Sequence, residues 1–577
     1  MSYRVTLNDA FKNYTVDQDK ILLPEETVKR FRDRLQSVNL DILAKTERID
    51  NGRLDIPVFF SQCGKDARDV IGTKKQMGKG GTPQQAEASA VMELAERFSF
   101  FSFCKDPQNF VTGTPADMKD NTLPFEEIAK SVHDNSKELD FSRKIYESLS
   151  MKWTWGFNLT RKQATLIPFD WFFTINEFNG PSAGNCVEEA ISQGICEVVE
   201  RHVSSLISQG KISVPIIRPE SATDPLVMEM LGKYNTNNIR VFLSDFSLGM
   251  GIPSIGVLAY DPATFPDKSE IVWTAGTTPD PQKALSRALT ETAQLAGDFN
   301  TGANYVASGL PKFRDLHAAT FITDSQNQIN LDALPDISNP NIRVEVENCI
   351  AALKQKDFDV LVINTTHSLL DIPAFYTIIP GAHFRERATG TSVGMFSAKL
   401  ITEKNPPDIA YTRLQEMDGL LPDKHYVHFY MGTCLLAMGQ PEKAMPLLER
   451  ARRLDPPIQD IPSIYSYLGV AHKDMGAWEK ALEVLKQGET YDKERTDIYN
   501  LMGFCHFKLK QHEQAIESFA RVLDLNPGSA IDYANIGSNY REMGEKDNAI
   551  YFYEVALSID PSIEFARENL ERLKHAK

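Results

Sequence analysis

Glycines recur at nearly constant spacing in the last third of this chain and restrict that part to one kind of fold. The intervals are 37, 34 and 34 residues, between Gly432, Gly469, Gly503 and Gly537. Twelve residues after each glycine stands an alanine, in the order Ala444, Ala481, Ala515 and Ala549. Small residues at fixed positions let paired helices approach closely, and such pairs bury their apolar faces by stacking on their neighbours. The period therefore predicts an all-α array of stacked helix pairs.

This spacing is that of the tetratricopeptide repeat. Pro456, Pro527 and Pro561 follow their glycines by 24 residues, and Lys493 stands at that place in the second copy. We predict about four repeats in residues 425–577, a linker in residues 406–424 and a separate domain in residues 1–405. The groove of such an array most often binds a protein or peptide, and a purely structural or dimerising array is the alternative. In the dimerising alternative the protein would form a homodimer.

Residues 1–405 differ from the repeats because β-branched runs alternate with helical segments. Strands are predicted at 56–61, 152–158, 164–169, 239–244, 252–260, 270–275 and 359–364, and helices at 24–37 and 342–356. A flexible basic loop is predicted at 72–82, ahead of a helix. Mixed elements of this kind predict an α+β domain in which β-sheets pack against helices.

One helical segment of this domain, residues 182–202, carries an acidic face. Asn185 followed by Glu188 predicts a helix start with a capping box. At 100° per residue, one face holds Glu189, Gln193, Glu197 and Glu200, and the opposite face holds Ile191, Ile195, Val198 and Val199. Close carboxylates repel one another, and a hard divalent cation with oxygen ligands relieves that repulsion. A solvated acidic face is the alternative for any single helix of this kind.

The same pattern recurs in two other predicted helices. The three sets are Ala86, Ser89, Ala90, Glu93, Glu96 and Arg97; Ala190, Gln193, Gly194, Glu197, Glu200 and Arg201; and Ala284, Arg287, Ala288, Glu291 and Gln294. Each helix places a small residue, a polar residue and a glutamate at the same relative positions. Acidic faces that arose by chance would not share this register, so we predict that the three helices form one site.

Composition excludes several classes of protein. The net charge of −16 argues against a non-specific nucleic-acid binder. Seven cysteines without a C-x-x-C pair indicate a reducing compartment and no zinc site. The sequence contains no apolar run of 18 residues and no apolar segment near its start. We therefore expect a cytoplasmic protein without nucleic-acid or membrane partners.

The three helices resemble the signature of the YcaO family of ATP-dependent enzymes, which act on peptide backbone amides. That signature reads S-x-x-x-E-x-x-E-R, then S-x-x-x-x-x-x-E-x-x-x-Q, then R-x-x-x-E-x-x-Q. The matching residues are Ser89, Glu93, Glu96 and Arg97; Ser182, Glu189 and Gln193, followed by Glu197, Glu200 and Arg201; and Arg287, Glu291 and Gln294. Gly78-Lys79-Gly80 resembles the G-K-G element of the family, and Lys20 and Thr27 resemble a nucleotide-contacting pair. The resemblance spans residues 15–400.

This resemblance implies ATP and Mg²⁺ as cofactors and a role for each matching residue. The implied Mg²⁺ ligands are Glu93, Glu96, Glu197 and Glu200, with Glu189 as an additional ligand. The residues implied to contact nucleotide or to position these ligands are Lys20, Thr27, Lys79, Ser89, Arg97, Ser182, Gln193, Arg201, Arg287 and Glu291. For each arginine, an ion pair with a nearby glutamate is the alternative. No residue is assigned to proton transfer.

The resemblance further implies phosphorylation of a peptide amide oxygen by ATP, which makes that oxygen a good leaving group. A side-chain nucleophile would then give an azoline, and an external sulfur donor would give a thioamide. We expect a peptide or protein substrate, with the repeats recruiting the substrate or a protein partner. A nucleotide-binding accessory protein, such as one that supports methylthiolation of a ribosomal protein, is the alternative. A repeat scaffold with a vestigial ATP site is the third reading.

Overall fold

The computed structural model describes residues 3–50, 52–72, 76–118, 121–299, 312–384 and 391–575. The chain divides into two compact units, one of Met1–Asn135 and Glu147–Thr391 and the other of Ser136–Tyr146 and Ser392–Lys577. In the described residues the first unit mixes helices with sheets and the second is helical. The predicted fold class, an α+β part followed by a helical array, is confirmed.

The strands lie in the first unit. In chain order they are β1 (Leu43–Arg48), β2 (Val58–Cys63), β3 (Gln76–Lys79), β4 (Val111–Gly113), β5 (Met151–Asn158), β6 (Gln163–Pro168), β7 (Pro181–Ala183), β8 (Ile216–Ile217), β9 (Arg240–Asp245), β10 (Ser254–Tyr260), β11 (Val272–Thr277), β12 (Gln328–Ile329), β13 (Leu361–Asn364) and β14 (Ala374–Ile378). Among the described residues they form sheets ordered β1-β2-β3, β11-β10-β9-β8-β12 and β4-β5-β13-β14-β7, with β6 also paired to β5.

The helices up to residue 391 belong to the first unit, apart from the helix Leu139–Glu147, which lies almost entirely in the second. They are α1 (Pro24–Val38), α2 (Lys65–Ile71), α3 (Pro83–Lys105), α4 (Phe125–Ser131), α5 (Leu139–Glu147), α6 (Phe169–Asn176), α7 (Val187–Gly210), α8 (Pro225–Thr236), α9 (Pro281–Ala296), α10 (Thr320–Thr323) and α11 (Ile342–Gln355). We call α3, α7 and α9 the motif helices because they carry the repeated pattern. No helix in the described part of the chain is long and apolar enough to cross a membrane.

The remaining helices belong to the second unit and follow one another without strands. They are α12 (Val393–Lys404), α13 (Pro407–Leu420), α14 (His425–Ala437), α15 (Pro441–Arg453), α16 (Ile461–Asp474), α17 (Trp478–Tyr491), α18 (Thr496–Lys508), α19 (His512–Leu525), α20 (Ala530–Glu542), α21 (Lys546–Ile559) and α22 (Glu564–His575). Helix α13 occupies most of the stretch 406–424.

The repeat glycines lie where the two helices of each pair touch. A Cβ atom added to each glycine would meet the side chain sixteen residues further on, at distances between 2.5 and 3.1 Å. The contacts are Gly432 with Leu448, Gly469 with Leu485, Gly503 with Phe519 and Gly537 with Tyr553. The repeat alanines on the second helices are fully buried. Small residues are therefore required at these positions by packing.

Two local predictions differ from the structure. Helix α7 begins at Val187 with Cys186 as its N-cap, whose sulfur accepts from Glu189 N, so the predicted N-cap at Asn185 is wrong by one residue. The predicted loop 72–82 contains strand β3, which pairs with β2 and so satisfies its backbone groups there. Residues 73–75 of that loop lie outside the described residues.

Each motif helix packs on a sheet at the small position that the three helices share. Helix α3 contacts β2 and β3, α7 contacts β7 and β14, and α9 contacts β10 and β11. A Cβ atom on Gly78 of β3 would lie 2.0 Å from Ala90 N, and one on Gly276 of β11 would lie 2.7 Å from Ala288 N. On α7 the glycine belongs to the helix and not to the strand. A Cβ atom on Gly194 would lie 2.3 Å from Thr377 Oγ1 of β14. The shared register therefore has a packing cause.

Three histidines, one of them on α7, lie against one another. The rings of His133 and His383 stack with centroids 3.7 Å apart, and His383 N donates to His202 Nδ1 at 3.0 Å. Burial, and then the neighbouring His383, lowers the pKa of His133 to about 4. A lowered pKa means that the folded protein keeps this ring neutral while the unfolded chain, near 6.5, takes up a proton.

We therefore expect the protein to lose stability as the pH falls from about 6.5 towards 4. For His133 alone the free energy of unfolding at pH 5 should be lower by about 1 kcal/mol. This is half of the full linkage value, because the ring is partly exposed and solvent weakens the effect. His133 has φ +54°, so His133→Asn removes the titration with a residue that tolerates this backbone conformation. Urea midpoints at pH 7.5 and 5.0 should differ less in this variant than in the wild type. An unchanged difference would contradict the assignment.

Candidate functional site

The three motif helices converge on one cavity of about 410 Å³. Helices α3, α7 and α9 supply its polar walls, β3 contributes one side, and residues 18–27 close another. The predicted site residues that line it are Lys20, Thr27, Lys79, Ser89, Glu93, Glu96, Arg97, Gln193, Glu197, Arg201, Arg287 and Glu291. The structure thus brings most of the predicted set together at one place.

Three predicted site residues do not line this cavity. Ser182 is fully buried in β7 and its hydroxyl donates to Phe375 O at 3.4 Å. The Glu200 carboxylate lies behind the wall, where it accepts from Thr277 N at 3.1 Å and from Arg287 Nε at 3.1 Å. Glu189 is buried near the start of α7 and accepts hydrogen bonds from backbone amides. Their predicted roles in ligand binding stay predictions.

Glu93, Glu96 and Glu197 make one part of the cavity acidic. Burial and the charges of neighbouring glutamates raise the pKa of Glu93 and raise that of Glu96 well above its usual range, against the opposing effect of Arg97. Arg97 approaches both carboxylates, with Nη2 4.0 Å from Glu93 Oε1 and Nε 3.5 Å from Glu96 Oε1. These carboxylates are therefore only partly compensated by protein charges.

The donor set fits a hard divalent cation. Carboxylate oxygens are the ligands that Mg²⁺ prefers, and a cation among Glu93, Glu96 and Glu197 would oppose the burial and the repulsion that raise the pKa values of Glu93 and Glu96. The side chains of Glu93 and Glu96 keep 36% and 14% of their exposure, so an ion can reach them from the cavity. No three His, Cys, Asp or Glu side chains in the described ranges already stand close enough to hold a metal ion.

Basic residues also line the cavity. Lys79 Nζ pairs directly with Glu291 Oε2. Burial would raise the pKa of Glu291, but Lys79, Arg201 and Arg287 outweigh it and lower the pKa to about 2. With its amide oxygen turned towards Arg287, Gln193 accepts from Nη1 and Nη2 at 3.0 and 3.2 Å. An ionised Glu291 therefore balances a group of cations that could also receive an anionic ligand.

Apolar side chains that the sequence did not point to complete the cavity. They are Leu22, Met77, Met92, Phe178 and Leu295. Phe178 is 48% exposed although it contacts the rings of Phe101 and Phe173. No spacing in the sequence marks these residues, because they come from five separate segments of the chain. The cavity therefore offers an apolar surface beside its charged walls.

Family comparisons assign most of the chain. A family model described as "YcaO cyclodehydratase, ATP-ad Mg2+-binding" matches residues 77–383. Two tetratricopeptide-repeat models match residues 426–457 and 494–562, which confirms the predicted repeats. The description of the first model names ATP and Mg²⁺, the two cofactors predicted from the motifs.

Two relatives illustrate how far the likeness extends. An uncharacterised protein of Methanothermobacter thermautotrophicus is 27% identical over 379 residues, which is 62% of this chain and 93% of the relative. The ribosomal protein S12 methylthiotransferase accessory factor YcaO of Escherichia coli is 27% identical over 344 residues, which is 53% of this chain and 56% of the relative. The match thus spans little more than half of the Escherichia coli protein.

Solved structures share the fold of the first unit. A heterocyclase in complex with substrate and cofactor matches with a TM-score of 0.54 and 20% identity, over 66% of this chain and 54% of that one. YcaO from Methanopyrus kandleri, bound with AMPPCP and Mg²⁺, matches with a TM-score of 0.50 and 20% identity, over 66% of this chain and 96% of that one. At this identity the likeness concerns the fold.

Proposed function

This chain belongs to the YcaO family, as its motifs predict, and from that premise we propose that it uses ATP and Mg²⁺ to activate backbone amides of a peptide or protein. The observation that carries the proposal is the cavity between the motif helices. The carboxylates of Glu93, Glu96 and Glu197 line it together with a group of cations around Glu291. A magnesium-bound triphosphate needs both kinds of partner within one enclosed space.

We assign the acidic residues of the cavity to Mg²⁺ and its basic residues to the phosphates of ATP. Glu93, Glu96 and Glu197 would hold Mg²⁺, which neutralises charge on a transferring phosphoryl group when it is bound. Lys79, Arg201, Arg287 and Lys20 would contact the phosphate oxygens, because cationic donors bind such oxygens with short charge-assisted hydrogen bonds. Gln193 and Glu200 contact Arg287 and would fix the direction of its guanidinium.

The reaction that this arrangement supports begins with a nucleophile adding to the amide carbon. The electron pair of the C=O bond moves to oxygen, and that oxyanion attacks the γ-phosphorus of ATP while ADP leaves. The C–O bond then breaks and its electron pair departs with phosphate. A side-chain nucleophile of the substrate loses its proton, and when the amide nitrogen also gives up its proton to form C=N the product is an azoline, a net loss of water. An external sulfur donor instead gives up its own protons, forms C=S and leaves a thioamide. The chain contributes positioning and electrostatic stabilisation.

A second candidate function is that of a nucleotide-binding accessory protein. The likeness to the Escherichia coli accessory factor favours it, and the tetratricopeptide repeats supply a surface for a partner enzyme. In that case nucleotide binding would control the partner without modifying a peptide.

Phosphate release by the full-length protein separates these two functions. We expect release that requires both Mg²⁺ and a peptide, together with a peptide mass that falls by one water or changes by exchange of oxygen for sulfur. Omission of Mg²⁺ is the control. Nucleotide binding without turnover for every credible peptide would favour the accessory role.

A further inference from the structure

An N-terminal loop, residues 14–20, forms part of the cavity wall. Its ends are joined by backbone hydrogen bonds, with Lys20 N donating to Tyr14 O and Tyr14 N donating to Lys20 O, both at 2.9 Å. Inside the loop the Tyr14 hydroxyl donates to Asp17 Oδ1 at 2.8 Å. Gln18 and Lys20 line the cavity. The loop is thus a closed unit that presents two polar side chains to the site.

This loop is anchored at the N-terminal end of every motif helix. Asp17 Oδ2 accepts from Gly81 N, just before α3, at 2.6 Å. Lys283, in the first turn of α9, donates from Nζ to Thr15 O at 2.8 Å and to Val16 O at 2.7 Å. The residue after the loop, Ile21, donates its N–H to a carboxylate of α7 at 2.6 Å. Each anchor fixes the loop relative to a different wall of the cavity.

The carboxylate on α7 is that of Glu189, and it is engaged through both oxygens. Oε1 accepts from Ile21 N, and Oε2 accepts from Asn185 N at 2.8 Å and from Asn185 Nδ2 at 3.2 Å. Its relative exposure is 3%, and it does not line the 410 Å³ cavity. Two backbone N–H groups and one side-chain amide therefore occupy three of the about four lone-pair sites of this carboxylate, which leaves little room for a metal ion.

We propose that Glu189 is a positioning residue, which holds the N-terminal loop so that Lys20 faces the cavity, and is not a metal ligand. This inference rests on the proposed binding of nucleotide at the cavity. Loss of the carboxylate leaves the N–H groups of Ile21 and Asn185 buried without their acceptor. The loop would then lose its α7 anchor, and the ammonium of Lys20 would no longer be held in one place.

A double-mutant cycle in the full-length protein tests this role. We expect Glu189→Ala and Lys20→Met each to weaken ATP binding at saturating Mg²⁺ by about tenfold, the effect of one charge-assisted contact. The double variant should be no weaker than either single one, because both changes remove the same contact. The Mg²⁺ concentration for half-saturation should stay unchanged in Glu189→Ala. A raised Mg²⁺ requirement with additive effects on ATP would overturn the inference.

Hydrogen exchange without nucleotide gives an independent measurement. We expect the peptide covering residues 14–23 to exchange faster in Glu189→Ala than in the wild type. Glu127→Gln, which changes a buried carboxylate on α4, is the matched control and should leave this peptide unchanged. Unchanged exchange in Glu189→Ala would refute the positioning role. If the wild type binds no nucleotide, the proposed function fails, whereas the exchange still decides whether Glu189 holds the loop.

Discussion

Replacing Glu93 or Glu197 by glutamine is expected to abolish Mg²⁺-dependent ATP binding. Each change removes one negative charge and one oxygen ligand from the acidic part of the cavity, while the size of the side chain is kept. Loss of residues that only support metal ligands already costs 10–100-fold in metal affinity. We therefore expect the affinity for ATP in the presence of Mg²⁺ to fall by about 100-fold or more in either variant.

The same variants should fold as well as the wild type or better. Burial raises the pKa of Glu93, so without a cation the site already favours an uncharged group there, and glutamine supplies one. Calorimetric titration with ATP, with and without Mg²⁺, measures the affinity. Thermal unfolding measures stability. Mg²⁺ with ATP should raise the unfolding midpoint of the wild type but not that of either variant.

Glu87→Gln is the matched control on the same helix. The Glu87 carboxylate accepts from Thr46 Oγ1 at 2.7 Å and does not line the cavity. This variant loses the same charge from α3 and should keep wild-type affinity. If Glu93→Gln and Glu197→Gln also bind nucleotide normally, neither side chain is a metal ligand and the proposed use of the cavity is wrong.

The sequence predicted the parts of the fold that depend on regular spacing. In the repeats, Gly432 and Leu448 meet because a helix pair of fixed length places residue i+16 opposite residue i. In the first unit, the small position of Ala90, Gly194 and Ala288 recurs because each motif helix must cross a strand there. Neither inference needs knowledge of distant contacts, so periodicity was sufficient.

Spacing also grouped Glu93, Glu96 and Glu197, which do line the cavity, but it placed Glu189 and Glu200 in the same group although neither lines it. Glu189 lies on the same helical face as Glu197, yet eight residues at 1.5 Å each place it about 12 Å away along the axis. There the N-terminal loop, and not the cavity, meets the helix. The loop anchors Asp17 and Lys283 escaped prediction because each contact joins segments that are distant in sequence.

The largest effect on stability is expected from Gly78→Ala. A Cβ atom at this position would lie 2.0 Å from Ala90 N and 2.3 Å from Ala86 O, both backbone atoms of α3. Since backbone atoms of a long helix cannot turn aside, β3 must move away from α3. We expect a loss of about 3 kcal/mol or more in the free energy of unfolding. ATP binding should fall as well, because the next residue along β3, Lys79, pairs with Glu291 across the cavity.

Two further variants separate this clash from a general effect of added methyl groups. Gly232→Ala adds the same atom on α8, where nothing lies within 4 Å, and should stabilise the helix by up to about 1 kcal/mol. Ala90→Gly removes the facing side chain but leaves the backbone nitrogen in place, so it should not rescue Gly78→Ala. Hydrogen exchange of peptides from β2, β3 and α3, together with urea unfolding, measures both expectations. Rescue by Ala90→Gly would mean that the side chain, and not the close approach of the backbones, requires glycine at position 78.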